Sequence, residues 1–148
     1  MKKRPVHRHL TKKIRKQVAV IYNICMSLSW IQHEGQKILF IDVSNLRDDH
    51  GLLALKLASL VNMLKPEPKQ SVLAVADLRN TYLSNKAIMA LIKNAPLAAP
   101  HFRKSALVIE PGVSRSIILD SLGQFVERVP RRFKNLEDAK NWLVSDER

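Results

Sequence analysis

The chain has 148 residues, of which 46% are hydrophobic and 26% charged, with a formal net charge of +12. That is the size and balance of one globular domain with an appendage, able to bury about two-thirds of its unfolded surface. One cysteine, Cys25, excludes an internal disulfide and a Cys-rich metal site, and a reducing cytoplasm is the expected compartment. Four glycines leave no Gly-rich phosphate loop, and there is no internal repeat or low-complexity tract.

The charge is uneven. Lys2, Lys3, Arg4, Arg8, Lys12, Lys13, Arg15 and Lys16 fall in the first sixteen residues with no acid among them. From Met26 onward there are 17 basic and 13 acidic residues, a net of only +4. The high pI therefore belongs to a tail, not to a nucleic-acid-binding domain. Leu10, Ile14, Val18, Ile21 and Cys25 share one helical face, with most of the cations off it, so residues 1–25 read as a basic leader. It is either disordered or an amphipathic helix for a membrane surface or polyanion such as nucleic acid. Asn23, Ser27 and Ser29 interrupt the apolar stretch, no small-residue cleavage site follows, and the run is too short to span a bilayer. Met26 is an alternative natural start.

Residues 26–148 read as one domain. Leu28 and Trp30 alternate with serines, a Gly35-containing turn follows, and 38–41 is fully apolar, which predicts an antiparallel hairpin. His33 falls in that turn as a solvated residue. Beyond Asp42 the segment 43–49 is polar and irregular, with Asn45 and Asp48 as candidate helix caps. Leucines crowd 52–64 at the density of a helix lying on a sheet, ended by Pro66 and Pro68.

Residues 72–78 are apolar apart from Asp77 and predict a strand buried on both faces. A polar corner at Asp77, Arg79 and Asn80 leads to a helix expected to stop before Pro96. A third buried strand is expected at 106–109. Pro111-Gly112 breaks it, and Ser114 caps a further helix bearing Ile117, Leu122 and Phe125. Pro130 confines 128–133 to a short edge strand. Asn135 and Asp138 form a capping arrangement for a last helix that docks Leu136, Ala139, Trp142 and Leu143.

The order β-β-α-β-α-β-α-β-α demands crossover connections. It predicts an α/β domain with a mixed, mostly parallel sheet of four or five strands, an N-terminal β-hairpin and about four helices.

Three stretches carry a family resemblance: Trp30-Ile-Gln-His-Glu-Gly-Gln-Lys-Ile-Leu-Phe-Ile-Asp42, the strand 71–77, and Phe133-Lys-Asn-Leu-Glu-Asp-Ala-Lys-Asn-Trp-Leu143. With this element order the chain resembles the STAS domains of anti-sigma-factor antagonists, in their SpoIIAA-like (STAS/SEC14-like) branch, over about residues 26–143. The resemblance implies a non-enzymatic regulatory or scaffolding domain in an anti-sigma or stress-type signalling module. Its partner would be a protein, such as an anti-sigma-type kinase. In the antagonists a serine in an Asp-Ser-Ser-Gly corner after the central strand is phosphorylated. Here Asn85 and Lys86 stand at the serine positions and Ser84 at the acidic one. The corner implied as an interaction or switch site is thus Asp77, Arg79, Ser84, Asn85 and Lys86. Ser84 is also the expected N-cap of the following helix.

The residues themselves leave other readings open. Asp42 and Asp77 end neighbouring strands, an arrangement that suits paired carboxylates but is explained more economically by corner hydrogen bonds. His7 and His9 sit in a cationic tail, and the other histidines lack metal-ligand spacing. No catalytic constellation, metal site or cofactor is expected. Ser114, Arg115 and Ser116, where a strand runs into a helix N-terminus, are a candidate anion site and support a small-ligand-binding alternative. A homo-oligomer is compatible with all of these.

Overall fold

The computed structural model describes residues 12–17, 27–110, 123 and 126–148. Strands β1 (Leu28–His33) and β2 (Gln36–Asp42) form the hairpin, joined by Glu34 and Gly35 alone. Both turn residues have positive φ, 49° and 77°, as a two-residue turn matched to strand twist requires, and glycine takes the second position without strain. Helix α1 (His50–Leu64), strand β3 (Val72–Asp77), helix α2 (Asn85–Ala98) and strand β4 (Phe102–Val108) follow. Strand β5 (Arg131–Phe133) and helix α3 (Leu136–Val144) complete the described elements.

The sheet order is β1-β2-β3-β4-β5, with β1 antiparallel to β2 and all later pairs parallel. This is the expected α/β architecture, with five strands. A sheet that adds parallel strands in chain order through right-handed crossovers places the crossing helices on one face. Accordingly α1 and α2 share one layer of core with the sheet. Leu53, Leu57, Leu60 and Leu64 of α1 and Ala87, Leu91 and Ala98 of α2 meet Leu39, Ile41, Val72, Ala74 and Leu107. The alternate residues Ile38, Leu73, Val75, Ala106 and Val108 point to the other face, where Ala139 and Leu143 of α3 cover them. Because the centres of β2 and β3 and the second half of β4 have apolar cover on both faces, those stretches read as unbroken hydrophobic runs. Each fully buried leucine here contributes about 1.5–3 kcal/mol through burial.

Four local expectations need correction. Helix α2 does not stop before Pro96 but runs through it to Ala98. A proline this near the end removes one hydrogen bond, to the carbonyl of Ile92. Burial of Asn94 and Ala98, and the bond from the Ala99 N–H to the Ala95 carbonyl, hold the last turn. The N-cap of α1 is Asp49, whose Oδ1 accepts from the Leu52 N–H at 3.0 Å, and not Asn45 or Asp48. Strand β4 begins at Phe102, four residues before its continuous apolar run, because the half-polar stretch Phe102–Ser105 pairs with β3 across a register shift at Val72/Leu73. His33 lies in β1 rather than the turn, and its Nε2 is 2.7 Å from Asn141 Oδ1 on α3.

The edge position of β5 is as expected, three residues paired only with β4. Asn135 caps α3, its Oδ1 accepting from the Asp138 N–H at 2.8 Å. At the other end of α3, Lys104 Nζ donates to the carbonyls of Trp142 at 2.5 Å, Ser145 at 3.1 Å and Glu147 at 2.6 Å. One ammonium thus ties the last turn of α3 to the residues beyond it and sits 4.2 Å from the centre of the Trp142 ring. Residues 12–17 are helical and exposed. The rest of the leader, with Cys25, His7 and His9, lies outside the described residues.

Candidate functional site at the carboxyl ends of the central strands

Asp42 and Asp77 are register partners at the ends of β2 and β3. Each carboxylate folds back on the residue two positions ahead, the Asx-turn geometry that ends a strand cleanly. Asp42 Oδ1 accepts from the Ser44 N–H at 3.1 Å and from Ser44 Oγ at 2.6 Å. Asp77 Oδ1 accepts from the Arg79 N–H at 3.1 Å. Corner hydrogen bonds therefore account for both aspartates.

The two corners differ in how charge is balanced. Arg79 returns its side chain to Asp77, Nε to Oδ1 at 3.0 Å and Nη2 to Oδ2 at 2.8 Å. The Asp77 side chain is 6% exposed and that of Arg79 is 40% exposed. The hydrogen bond to Asp77, then its charge, hold the Arg79 guanidinium above its ordinary value, with Glu110 and Asp42 adding to the same effect. Near Asp42 the cation is Lys56 of α1, a buried residue whose Nζ donates to the Asp42 carbonyl at 3.4 Å. Burial lowers the Lys56 pKa, opposed by the charges of Asp42 and Asp49.

Beyond the strands the two loops continue to pair. The Val43 N–H donates to the Asp77 carbonyl at 3.1 Å, Asn45 to Arg79 at 2.8 Å, and Arg47 to Asn80 at 3.0 Å. Tyr82 then donates back to Arg47 at 2.5 Å. Thr81 Oγ1 fastens the strip from inside, donating to the Val43 carbonyl at 2.5 Å and accepting from the Leu46 N–H at 3.2 Å. Asn80 Nδ2 donates to Asn45 Oδ1 at 2.9 Å. Asn45, Arg47 and Asn80 take positive φ of 57°, 52° and 57°, conformations that asparagine tolerates through local side-chain bonding and arginine adopts only under constraint.

This zipped pair of loops determines what the corner can do. Ligand clefts in open α/β sheets form where neighbouring crossovers diverge to opposite faces. Here α1 and α2 lie on the same face, and main-chain bonds join the loops between them. The result is a stiff, closed platform.

At the edge of that platform stand Ser84, Asn85 and Lys86. Ser84 is the N-cap of α2, its Oγ accepting from the Ala87 N–H at 3.2 Å. Asn85 and Lys86 open the helix, both exposed. The corner thus comprises two separate hydrogen-bonded sets, Asp77 with Arg79 and Ser84 with Ala87, joined through residues 80–83. Ser114, Arg115 and Ser116 lie outside the described residues. Among the described residues no group of His, Cys, Asp or Glu is placed to hold a metal ion. No described helix is long and apolar enough to cross a membrane.

Two contributors were not singled out from the sequence. Lys56 had a readable signal, since it falls on the buried line Leu53, Leu57, Leu60 and Leu64, where a lysine must find a polar partner. Thr81 had none, because its main acceptor is 38 residues away in the chain. A cavity of about 1290 Å³ lies beside the second half of α2 and the start of β4, lined by Leu91, Leu107, Arg103 and Val129. None of the corner residues borders it.

No protein-family model, no curated protein and no solved structure matches the chain.

Proposed function

We propose that the chain is a STAS-like regulatory or scaffolding domain that acts by protein–protein contact at the corner between β3 and α2. The fold assignment is supported by an N-terminal hairpin, parallel strands added in chain order, and a closing helix that covers the second sheet face. The observation that carries the functional reading is the zipped platform. It offers a rigid surface in place of a crevice, and it presents Tyr82, Asn85 and Lys86 to solvent beside a buried Asp77. A preorganised, exposed surface on a stiff support favours macromolecular contact, because little is lost in ordering it.

Capture of binding proteins with the intact chain and with Ser84→Asp or Asn85→Asp tests this. The substitutions should change the partner set, since each adds a negative charge at the start of α2. An identical set from all three proteins would count against the corner.

A second reading has its own observation. Residues 12–17 are helical with Lys12, Lys13, Arg15 and Lys16 exposed and Ile14 56% exposed. A basic helix with an uncovered apolar side chain suits a membrane surface or a polyanion. Deleting residues 1–25 would then abolish vesicle or DNA binding and leave the melting temperature of the domain unchanged.

A further inference from the structure

Between Asp77 and Glu110 there is no acidic residue, while Arg79, Lys86, Lys93, Arg103 and Lys104 all fall in that interval. Helix α2 lies at its centre. Its buried line is Ala87, Leu91, Asn94 and Ala98. On the outer side Lys86, Met89, Lys93 and Leu97 recur at helical spacing and occupy an arc of about 80°. Met89 is 64% exposed and Leu97 57%, and Tyr82, just ahead of the helix, is 67% exposed. These are among the largest uncovered apolar side chains of the described residues.

Among the described residues the lysines on this stripe lack carboxylate partners. The described ion pairs are Arg79 with Asp77, Arg131 with Glu147 and Lys140 with Glu137, so neither Lys86 nor Lys93 is paired among the described residues. Arg79, at the head of the stripe, is already matched by Asp77. The unmet features are therefore alternating apolar and cationic, along one face of one helix.

Resting on the reading that this corner binds protein, we propose that the outer stripe of α2 is the docking surface for an acidic amphipathic segment of a partner protein. Apolar side chains of that segment cover Tyr82, Met89 and Leu97, and its carboxylates meet Lys86 and Lys93. Such a segment is the complement of this face in both respects. A second copy of the chain is a poor complement, since a symmetric contact would bring four lysines together with no carboxylate on either stripe. A bare polyanion would satisfy the lysines and leave Met89 and Leu97 wet.

The test uses the full chain and a synthetic amphipathic helix with glutamates on one side and leucines on the other. Two control peptides carry glutamine for glutamate, or serine for leucine. Because the basic leader also attracts anions, binding is read only from backbone amide shifts at residues 85–98. The parent peptide should shift these amides, and each control should bind at least about tenfold more weakly. Met89→Ser with Leu97→Ser, and Lys86→Glu with Lys93→Glu, should each weaken the parent peptide by a similar factor. Circular dichroism melts confirm that these exposed substitutions leave the fold intact. No shift at 85–98 overturns the proposal. So does equal binding of the serine control or heparin, which would mark a simple polyanion surface. Shifts caused by anionic phospholipid vesicles but not by the peptide would mark a membrane face, and concentration-dependent dimerisation through α2 would mark self-association. If Ser84→Asp changes the partner set while the stripe substitutions do not, the corner reading stands and this one falls.

Discussion

Arg79 reaches back over two residues to grip both oxygens of Asp77, the one from a half-exposed position and the other from the buried end of the central strand. The pair is asymmetric. Removing the arginine side chain leaves a carboxylate that is nearly out of water and, among the described residues, bound only by the main-chain N–H of residue 79. Removing the carboxylate leaves a guanidinium that can turn outward. Arg79→Ala should therefore destabilise the fold more than Asp77→Asn, by about 2–4 kcal/mol against about 1–2 kcal/mol, below the full range for a wholly buried pair. Urea denaturation of both variants checks the order, and equal losses would show that Asp77 is better solvated than its burial suggests.

Thr81→Val keeps the shape of the side chain and removes the hydroxyl that joins the Val43 carbonyl to the Leu46 N–H. Both groups are part-buried, so the substitution should cost about 1–3 kcal/mol. The amides of Leu46 and Arg47 should then exchange faster than those of β3. Exchange rates unchanged at these positions would mean that the main-chain bonds alone hold the strip.

Burial lowers the Lys56 pKa below 10.5, so the folded protein gives up this proton before the unfolded chain does. Below the folded value both states are protonated and the desolvation cost is present in full. Between that value and 10.5 the unfolded state binds more protons, and stability rises with pH. Lys104, also lowered by burial, contributes with the same sign. Lys56→Met should thus flatten part of the alkaline rise expected in urea melts, and the difference between the two curves should be largest at neutral pH. A parallel pair of curves would contradict the assignment.

Pro96→Ala restores an N–H facing the Ile92 carbonyl inside a continuous helix. The gain should be about 1–3 kcal/mol, reduced by the extra freedom of the unfolded chain. A higher melting temperature is the expected result. A lower one would show that the ring packs where alanine leaves a void.

The strand runs and their helices were legible because burial on both faces writes continuous apolar segments, and Ser84 and Asn135 announce their helices by position. Pro96 misled because local sterics argue for a stop, while the buried Ala98 rewards one more turn. The first half of β4 was invisible for a related reason. Arg103, Lys104 and Ser105 are not strand-like in composition, and Lys104 is polar because it serves the end of a helix distant in sequence. At the site, Asp77 and Arg79 are adjacent enough to be read together, whereas Thr81 acts on a loop the sequence does not place beside it. Local pairs are encoded locally. The zip is a property of the assembled sheet.

The bond from the Tyr82 N–H to the Arg47 carbonyl links the approach to α2 with the approach to α1. The two helices consequently do not have independent footings. A partner that displaced Ser84 or Tyr82 would pull on Arg47, three residues ahead of His50, where α1 begins. Strain applied at one helix start would thereby be shared with the other, and α1 would report at a distance on occupancy of the corner.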